Sequence, residues 1–217
     1  MQEPGEITRI EKQKSGAPRY NIYINGNYRF AVHEDVLVRF ALSKGMQVDA
    51  GEVEHILKEE ERNKVRQSAL RYLSFRPRTV YEMKQHLAGK GYETTFVDET
   101  VTEMIHQRYL DDRRFAEAWV EERRRRKGFG TRMLKQELEK KGVSSKIVDE
   151  VLDRLNEDEE RELALEMAER RYRRLAGESW PKVERRLGQY LLRRGFVSSL
   201  VYELLREFQR RHKEGEG

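Results

Sequence analysis

LKQELEKKGVSSKIVDEVLDRL, residues 134–155, decides the fold, because the chain carries this pattern three times. MKQHLAGKGYETTFVDETVTEM (83–104) and LGQYLLRRGFVSSLVYELLREF (187–208) align with it without gaps. Gly142 is matched by Gly91, 51 residues earlier, and by Gly195, 53 residues later. Ahead of the glycine, Leu134 and Leu138 correspond to Met83 and Leu87 and to Leu187 and Leu191, an i,i+4 apolar pair on one helix face. Behind it, Val143, Ile147, Val148, Leu152 and Leu155 correspond to Tyr92, Phe96, Val97, Val101 and Met104, then to Phe196, Leu200, Val201, Leu205 and Phe208. Coincidence could match two positions; a register kept at seven across three copies is an internal repeat.

The shared glycine has a physical role, since a helix that ends on a left-handed residue favours the side chain without a Cβ. The apolar residue that follows packs back on the helix just ended. Ser144 and Ser145, Ser198 and Ser199, and less well Thr94 and Thr95, supply an N-cap for the next helix. A further amphipathic segment precedes each copy: Val65, Ala69 and Leu73; Phe115, Trp119 and Val120; Ala168, Tyr172 and Leu175. The repeat is therefore three helices over about 50 residues, and the fold class is mainly α. Tandem units that contact mainly their neighbours predict an elongated, curved body with long surfaces and few deep pockets.

A different periodicity precedes the repeats. Residues 7–11 and 20–24 alternate apolar and polar side chains as half-buried strands do. Asn25-Gly26 between YNIYI and NYRFAV reads as the two-residue turn of a β-hairpin, and Ser15–Pro18 as an earlier turn. Helical spacing starts at Val36, and Lys44-Gly45 closes that helix; a second, glutamate-rich helix is expected over 52–63. The expected organisation is a small α+β unit over 1–63, repeats over 64–112, 113–157 and 158–212, and a disordered tail over 213–217.

Composition narrows the function. Without cysteine there are no disulfides, thiol nucleophiles or cysteine-ligated metals. The N-terminal residues lack the apolar core of a signal peptide, and no apolar run is long enough to span a bilayer, so a cytoplasmic protein without membrane contact is expected. The five histidines include no pair at metal-ligand spacing, and Gly89-Lys90-Gly91 lacks the rest of a phosphate-binding loop. Asp111-Asp112, the one tempting carboxylate pair, reads as an N-cap and first-turn charge. No catalytic, metal or cofactor site is expected.

Charge is more informative. The formal net charge is +5, and residues 113–156 alone carry 13 basic and 8 acidic side chains, which equals the whole excess. Inside this segment, EERRRRKGFG (121–130) ends a helix whose apolar stripe, Phe115 and Trp119, runs out into Arg123 and Arg126. Steps of 100° spread four consecutive arginines around the helix, so they cannot share one face. Glu121 and Glu122 stand four residues before Arg125 and Arg126 and are expected to pair with them, while Arg123 covers Trp119. Arg124 and Lys127 are left as the free cations. Arg132, Lys135, Lys140 and Lys141 extend this basic patch, which suits phosphates or an acidic protein surface. The bland alternative is a favourable basic helix terminus capped by Gly128. A secondary set, Arg170, Arg171, Arg173, Arg174, Arg193 and Arg194, has glutamates nearby and reads first as solvated helix faces. Aromatics interleaved with the cations are few, which argues against base stacking.

Residues 109–143, YLDDRRFAEAWVEERRRRKGFGTRMLKQELEKKGV, resemble the signature of the bacterial RecX family of recombination regulators. The matching residues are Asp112, Arg114, Phe115, Ala116, Trp119, Arg123, Gly128, Gly130, Leu134, Leu138 and Gly142. The repeat architecture extends the resemblance over roughly 65–210, and the first 60 residues resemble the extension of longer Gram-positive members. What the resemblance implies is a non-enzymatic, cofactor-free protein, expected as a monomer, that binds RecA nucleoprotein filaments. It would modulate, and in the expected sense inhibit, RecA ATP hydrolysis, strand exchange and SOS co-protease activity. For some members DNA, single- or double-stranded, is a further partner, so a stand-alone DNA-binding protein that uses the basic second repeat is the alternative.

Overall fold

The structure is a computed structural model that describes residues 5–14, 16, 18–175 and 177–214. Contacts divide the chain into two compact units, Met1–Arg76 with Met83–Tyr109, and Pro77–Glu82 with Leu110–Gly217.

In the first unit the alternating segments form strands β1 (Gly5–Lys12), β2 (Arg19–Ile24) and β3 (Asn27–His33). A short β4 (Gln47–Val48) completes an antiparallel sheet of order β3-β2-β1-β4. Asn25 and Gly26 both take the positive φ that the predicted turn requires, +50° and +80°. Of the expected turn at 15–18, Ser15 and Ala17 lie outside the described residues. Ile7, Ile22, Phe30 and Val32 point from the sheet into a core closed by Val36 of helix α1 (Glu34–Arg39) and Ile56 of α2 (Ala50–Leu73). The helix expected over 52–63 does not stop there. Residues 52–73 hold neither glycine nor proline, so nothing interrupts the hydrogen-bond ladder, and one helix of 24 residues serves both the sheet and the first repeat. Two buried glutamates anchor it: Glu60 accepts the His33 N–H at 2.7 Å and faces Arg19, while Glu59 pairs with Arg39 and Arg62.

The repeats comprise α2 with α3 (Val80–Ala88) and α4 (Thr94–His106); α5 (Asp112–Lys127), α6 (Thr131–Lys140) and α7 (Ser145–Leu152); and α8 (Glu157–Tyr172), α9 (Trp180–Arg193) and α10 (Ser198–Glu214). Lys213 and Glu214, expected in the tail, thus close α10, and residues 215–217 lie outside the described residues. The matched apolar positions Met83, Leu87, Leu134, Leu138, Leu187 and Leu191 are all fully buried. The three glycines have φ of +81°, +75° and +88°, and the Val143 and Phe196 N–H groups reach back to the Leu138 and Leu191 carbonyls. Ser144 caps α7, whereas Ser198 lies inside the first turn of α10 and α4 has no side-chain cap. Each repeat also ties its first helix to its third through an arginine and a glutamate that the apolar pattern did not announce: Arg62–Glu99, Arg113–Glu150 and Arg161–Glu203.

In the second unit one joint is built twice. The Gly142 turn receives the segment Pro77–Glu82: the Thr79 hydroxyl donates to the Lys141 carbonyl at 2.7 Å, and the Val80 N–H donates to Asp112 Oδ1 at 2.9 Å. The Gly195 turn receives the start of α6: the Gly130 N–H donates to the Arg194 carbonyl at 2.8 Å, and the Thr131 N–H to Glu160 Oε1 at 2.9 Å. Thr79 and Gly130 occupy the same repeat position, as do Lys141 and Arg194. In both joints a carboxylate from the following repeat caps an N-terminal N–H that its own helix leaves unsatisfied.

Candidate anion-binding groove

Helix α5 begins as its sequence dictates. The Asp111 side chain accepts the Arg114 N–H at 2.9 Å, Phe115, Ala116 and Val120 are buried, and Gly128 ends the helix with φ +59°. The neighbouring Asp112 is turned to the joint with Val80. Its burial raises its pKa above the ordinary aspartate value; the Val80 hydrogen bond offsets part of that, and Asp111 and Glu82 nearby add to it. Among the described residues no group of three or more His, Asp or Glu could hold a metal ion.

The cations of EERRRRKGFG sort differently from the sequence reading. Arg123 does lie over Trp119, 3.9 Å from the ring centroid, and it also bonds Glu137 at 2.9 Å and Glu122 at 3.2 Å. Trp119 Nε1 donates to the same Glu137 oxygen, and Lys141 stands 4.4 Å from the Trp119 ring and 2.9 Å from Glu82. Arg123 and Lys141 are thus largely used up by the scaffold. Arg124, expected as a free cation, is the most committed of all. It pairs with Glu160, which also accepts from the Thr131 N–H and, at 3.0 Å, from the Thr131 hydroxyl. Helix α5 alone offers Arg124 no partner; the partner stands 36 residues away on α8. Arg126 pairs with Glu122 at 3.4 Å as expected and stays 70% exposed. Arg125 is exposed without the expected Glu121 pair, and Lys127 is exposed near the Phe129 ring. Lys135 bonds Asp149 at 2.7 Å, Arg132 reaches Ser198 at 3.5 Å, and Lys140 is exposed.

The free cations do not stand alone. The C-terminal ends of α5, α8 and α9 converge because Gly128 leaves no room for a Cβ against the Met167 sulfur, and the Gly130 and Arg132 N–H groups tie the α5–α6 turn to the α9–α10 turn. Two adjoining recesses open there. One, of about 390 Å³, is lined by Arg126, Lys127, Phe129, Tyr190, Arg193 and Arg194. The other, of about 300 Å³, shares part of that wall and adds Arg125, Met167, Arg170, Arg171 and Arg174. Among the described residues no carboxylate lines either recess. Among the described residues only Arg126 and Arg170 of these cations have a carboxylate partner, Glu122 and Glu166. Three helix C-termini carry roughly half a negative charge each, far less than the positive charge assembled around them.

Most of the secondary basic set is continuous with the first: Arg170, Arg171, Arg174, Arg193 and Arg194 line the recesses, and of these Arg170, Arg174 and Arg193 are exposed, as on a solvated helix face; Arg173 is exposed and outside the lining. The Tyr190 ring has the Arg194 guanidinium 4.9 Å and the Arg171 guanidinium 5.6 Å from its centroid. Arg171 Nε is buried and finds no acceptor among the described residues, a state that costs about 1–3 kcal/mol when left uncompensated. Sequence reasoning missed Tyr190, Phe129 and Glu160. Phe129 could have been noticed between its two glycines, while the other two acquire a role only through distant contacts.

Four family models match the chain in order: Regulatory protein RecX N-terminal domain over residues 5–49, then the RecX first, second and third three-helix domains over 66–104, 111–152 and 157–205. A Regulatory protein RecX of Halalkalibacterium halodurans is 36% identical over 97% of this chain and 80% of its own length. The chain belongs to the RecX family. A Regulatory protein RecX of Bacillus licheniformis is 33% identical over 96% of this chain and 80% of its own. A crystal structure of regulatory protein RecX superposes with a TM-score of 0.76 at 30% identity, covering 94% of this chain and 99% of that one. RecX from Lactobacillus salivarius, at 23% identity and a TM-score of 0.65 over 70% of this chain and 98% of its own, shares the fold. The RecX signature residues now have places: Phe115, Ala116, Leu134 and Leu138 are core, Asp112 and Gly142 belong to one joint and Gly130 to the other, and Gly128 ends α5 against Met167. Among the described residues no helix is long and apolar enough to cross a membrane.

Proposed function

We propose that this chain is a non-enzymatic regulator that binds RecA nucleoprotein filaments and lowers RecA ATP hydrolysis, strand exchange and SOS co-protease activity. The observation that carries this reading is the full set of RecX domains in order, with relatives named regulatory protein RecX over nearly the whole chain. A filament presents phosphates and acidic protein surface, and the carboxylate-free groove at the ends of α5, α8 and α9 is the surface suited to meet it. The protein acts in the cytoplasm as a monomer; sedimentation showing a stable dimer at working concentration would contradict the last point. The decisive assay is RecA-dependent ATP hydrolysis on single-stranded DNA, titrated with this protein. A fall in rate that saturates near stoichiometry is expected, and an unchanged rate at stoichiometric excess sinks the proposal. The same groove favours a second reading, direct nucleic-acid binding without RecA.

A further inference from the structure

We propose that the Gly91 turn of the first repeat is a vacant docking site for a helix start of another protein, one that carries a Ser/Thr-x-x-Glu capping box. The inference goes beyond the regulatory reading above, uses no cation of the groove, and stands or falls without that reading.

The chain fills the two later turns itself, and the way it does so defines the chemistry. At Gly142 the entering helix start is Thr79–Glu82, a reciprocal capping box. The Glu82 N–H donates to the Thr79 hydroxyl at 3.1 Å, and the Thr79 N–H donates to Glu82 Oε2 at 3.3 Å. Three contacts then join box to turn. The Thr79 hydroxyl donates to the Lys141 carbonyl, the Lys141 ammonium bonds Glu82 Oε1 at 2.9 Å, and the Tyr81 side chain lies where a Cβ on Gly142 would stand. At Gly195 the Gly130 and Arg132 N–H groups donate to the Arg194 and Gly195 carbonyls. The Gly91 turn has the same left-handed glycine, and Lys90 occupies the repeat position of Lys141. Among the described residues, however, no donor reaches the Lys90 or Gly91 carbonyl. No carboxylate among them pairs with Lys90, whose ammonium bonds the Ser68 hydroxyl at 3.0 Å. Both Lys90 and Gly91 are exposed, and a Cβ on Gly91 would meet nothing within 4 Å. Open carbonyls at the negative end of a helix call for donors, and the lysine for a carboxylate; a capped helix start supplies both. Thr79–Glu82 is the one hydroxyl-bearing box at a helix start among the described residues, and it is already engaged. A second copy therefore has nothing free to offer, and the occupant is a different protein.

The probe is a peptide of residues 77–90, stapled on its outer face because so short a helix does not form alone in water. Backbone amide shifts of the isotope-labelled full chain are followed as the peptide is added. The Lys90, Gly91 and Tyr92 amides are expected to shift and saturate, while those of the Gly142 and Gly195 turns, already filled, stay in place. A Glu82→Lys peptide should bind the parent chain several-fold more weakly and regain affinity for a Lys90→Glu chain, since both charges are then reversed. A Thr79→Asp peptide, which keeps the cap but cannot donate a hydroxyl, should also bind several-fold more weakly. A Gly91→Asn chain should lose most of the affinity, because asparagine tolerates the left-handed backbone yet fills the space the entering helix needs. If Gly91→Asn lowers the thermal midpoint of the chain, the charge swap decides alone. The proposal is overturned by the lack of a saturating shift at the Gly91 turn, by equal affinity for the parent and Thr79→Asp peptides, or by no recovery in the charge swap. An equal response of the same amides to polyglutamate also overturns it, since charge alone would then explain the contact. So does a shift of these amides on concentrating the chain without peptide, which would put a second copy at the turn.

Discussion

Glu160 is buried, and it satisfies three donors at once: the Arg124 guanidinium, the Thr131 N–H and the Thr131 hydroxyl. Removing one partner of a buried ion pair leaves the other charge uncompensated, so Glu160→Ala is expected to cost about 3 kcal/mol or more in urea unfolding, and Glu160→Gln less. By the same reasoning Arg124→Glu, which the sequence suggests as a probe of binding, is expected to destabilise the fold and would mislead as an interface mutant. Asp112 gives a pH-dependent case. Its folded pKa is raised, so the folded chain holds the proton in a range where the unfolded chain has released it. Stability is therefore lost as pH rises from about 4, the ordinary aspartate value, through the raised folded pKa, and it stays lost above. Asp112→Asn keeps an acceptor for the Val80 N–H without the charge. It is expected to be at least as stable as the parent at neutral pH, an advantage that vanishes below about pH 4. Asp112→Ala removes the cap and should cost about 1 kcal/mol at neutral pH. An Asn variant less stable than the parent at neutral pH, followed by thermal unfolding across pH, would refute this account.

At the scale of the element, the three repeat glycines share a backbone conformation yet do different work. A Cβ on Gly91 would meet nothing within 4 Å, while one on Gly195 would overlap the Met133 backbone nitrogen. Gly91→Ala should therefore cost only the left-handed penalty, about 1–2 kcal/mol, and Gly195→Ala clearly more, because backbone cannot give way as a side chain can. Equal losses in chemical denaturation would show that the joint does not depend on this close approach. Ion pairs that recur between helices, such as Lys84–Asp98 and Lys135–Asp149, both 2.7 Å, are half-exposed and contribute little individually. Apolar faces and joints hold each repeat together.

For the whole molecule, two electrostatic systems respond differently to salt. Buried pairs such as Arg124–Glu160 are poorly screened, whereas the groove cations face solvent and release counterions on binding. Raising salt from low to physiological concentration is expected to move the urea midpoint little and to weaken polyanion binding several-fold or more. A midpoint that falls steeply with salt would place the stabilising charges at the surface instead. The net charge of +5 by itself predicts neither behaviour, since the excess counted over residues 113–156 includes cations that the fold consumes.

The sequence by itself determined the repeat, the glycine that ends each second helix, the hairpin turn and the core positions, because each depends on side chains within a few residues of one another. Asn25-Gly26, the buried Leu134 and Leu138, and the glycine that ends each second helix are legible for that reason. The continuity of α2 was misjudged where no breaker residue marks an end, for polar residues in mid-helix look like a boundary. Which cations remain free was decided by the tertiary structure alone. Arg124 is neutralised by a residue 36 positions away, and Lys127 gains Arg193 and Tyr190 as neighbours only when Gly128 lets α8 close on α5. Local spacing fixes which face of a helix a charge occupies; packing fixes what stands opposite that face.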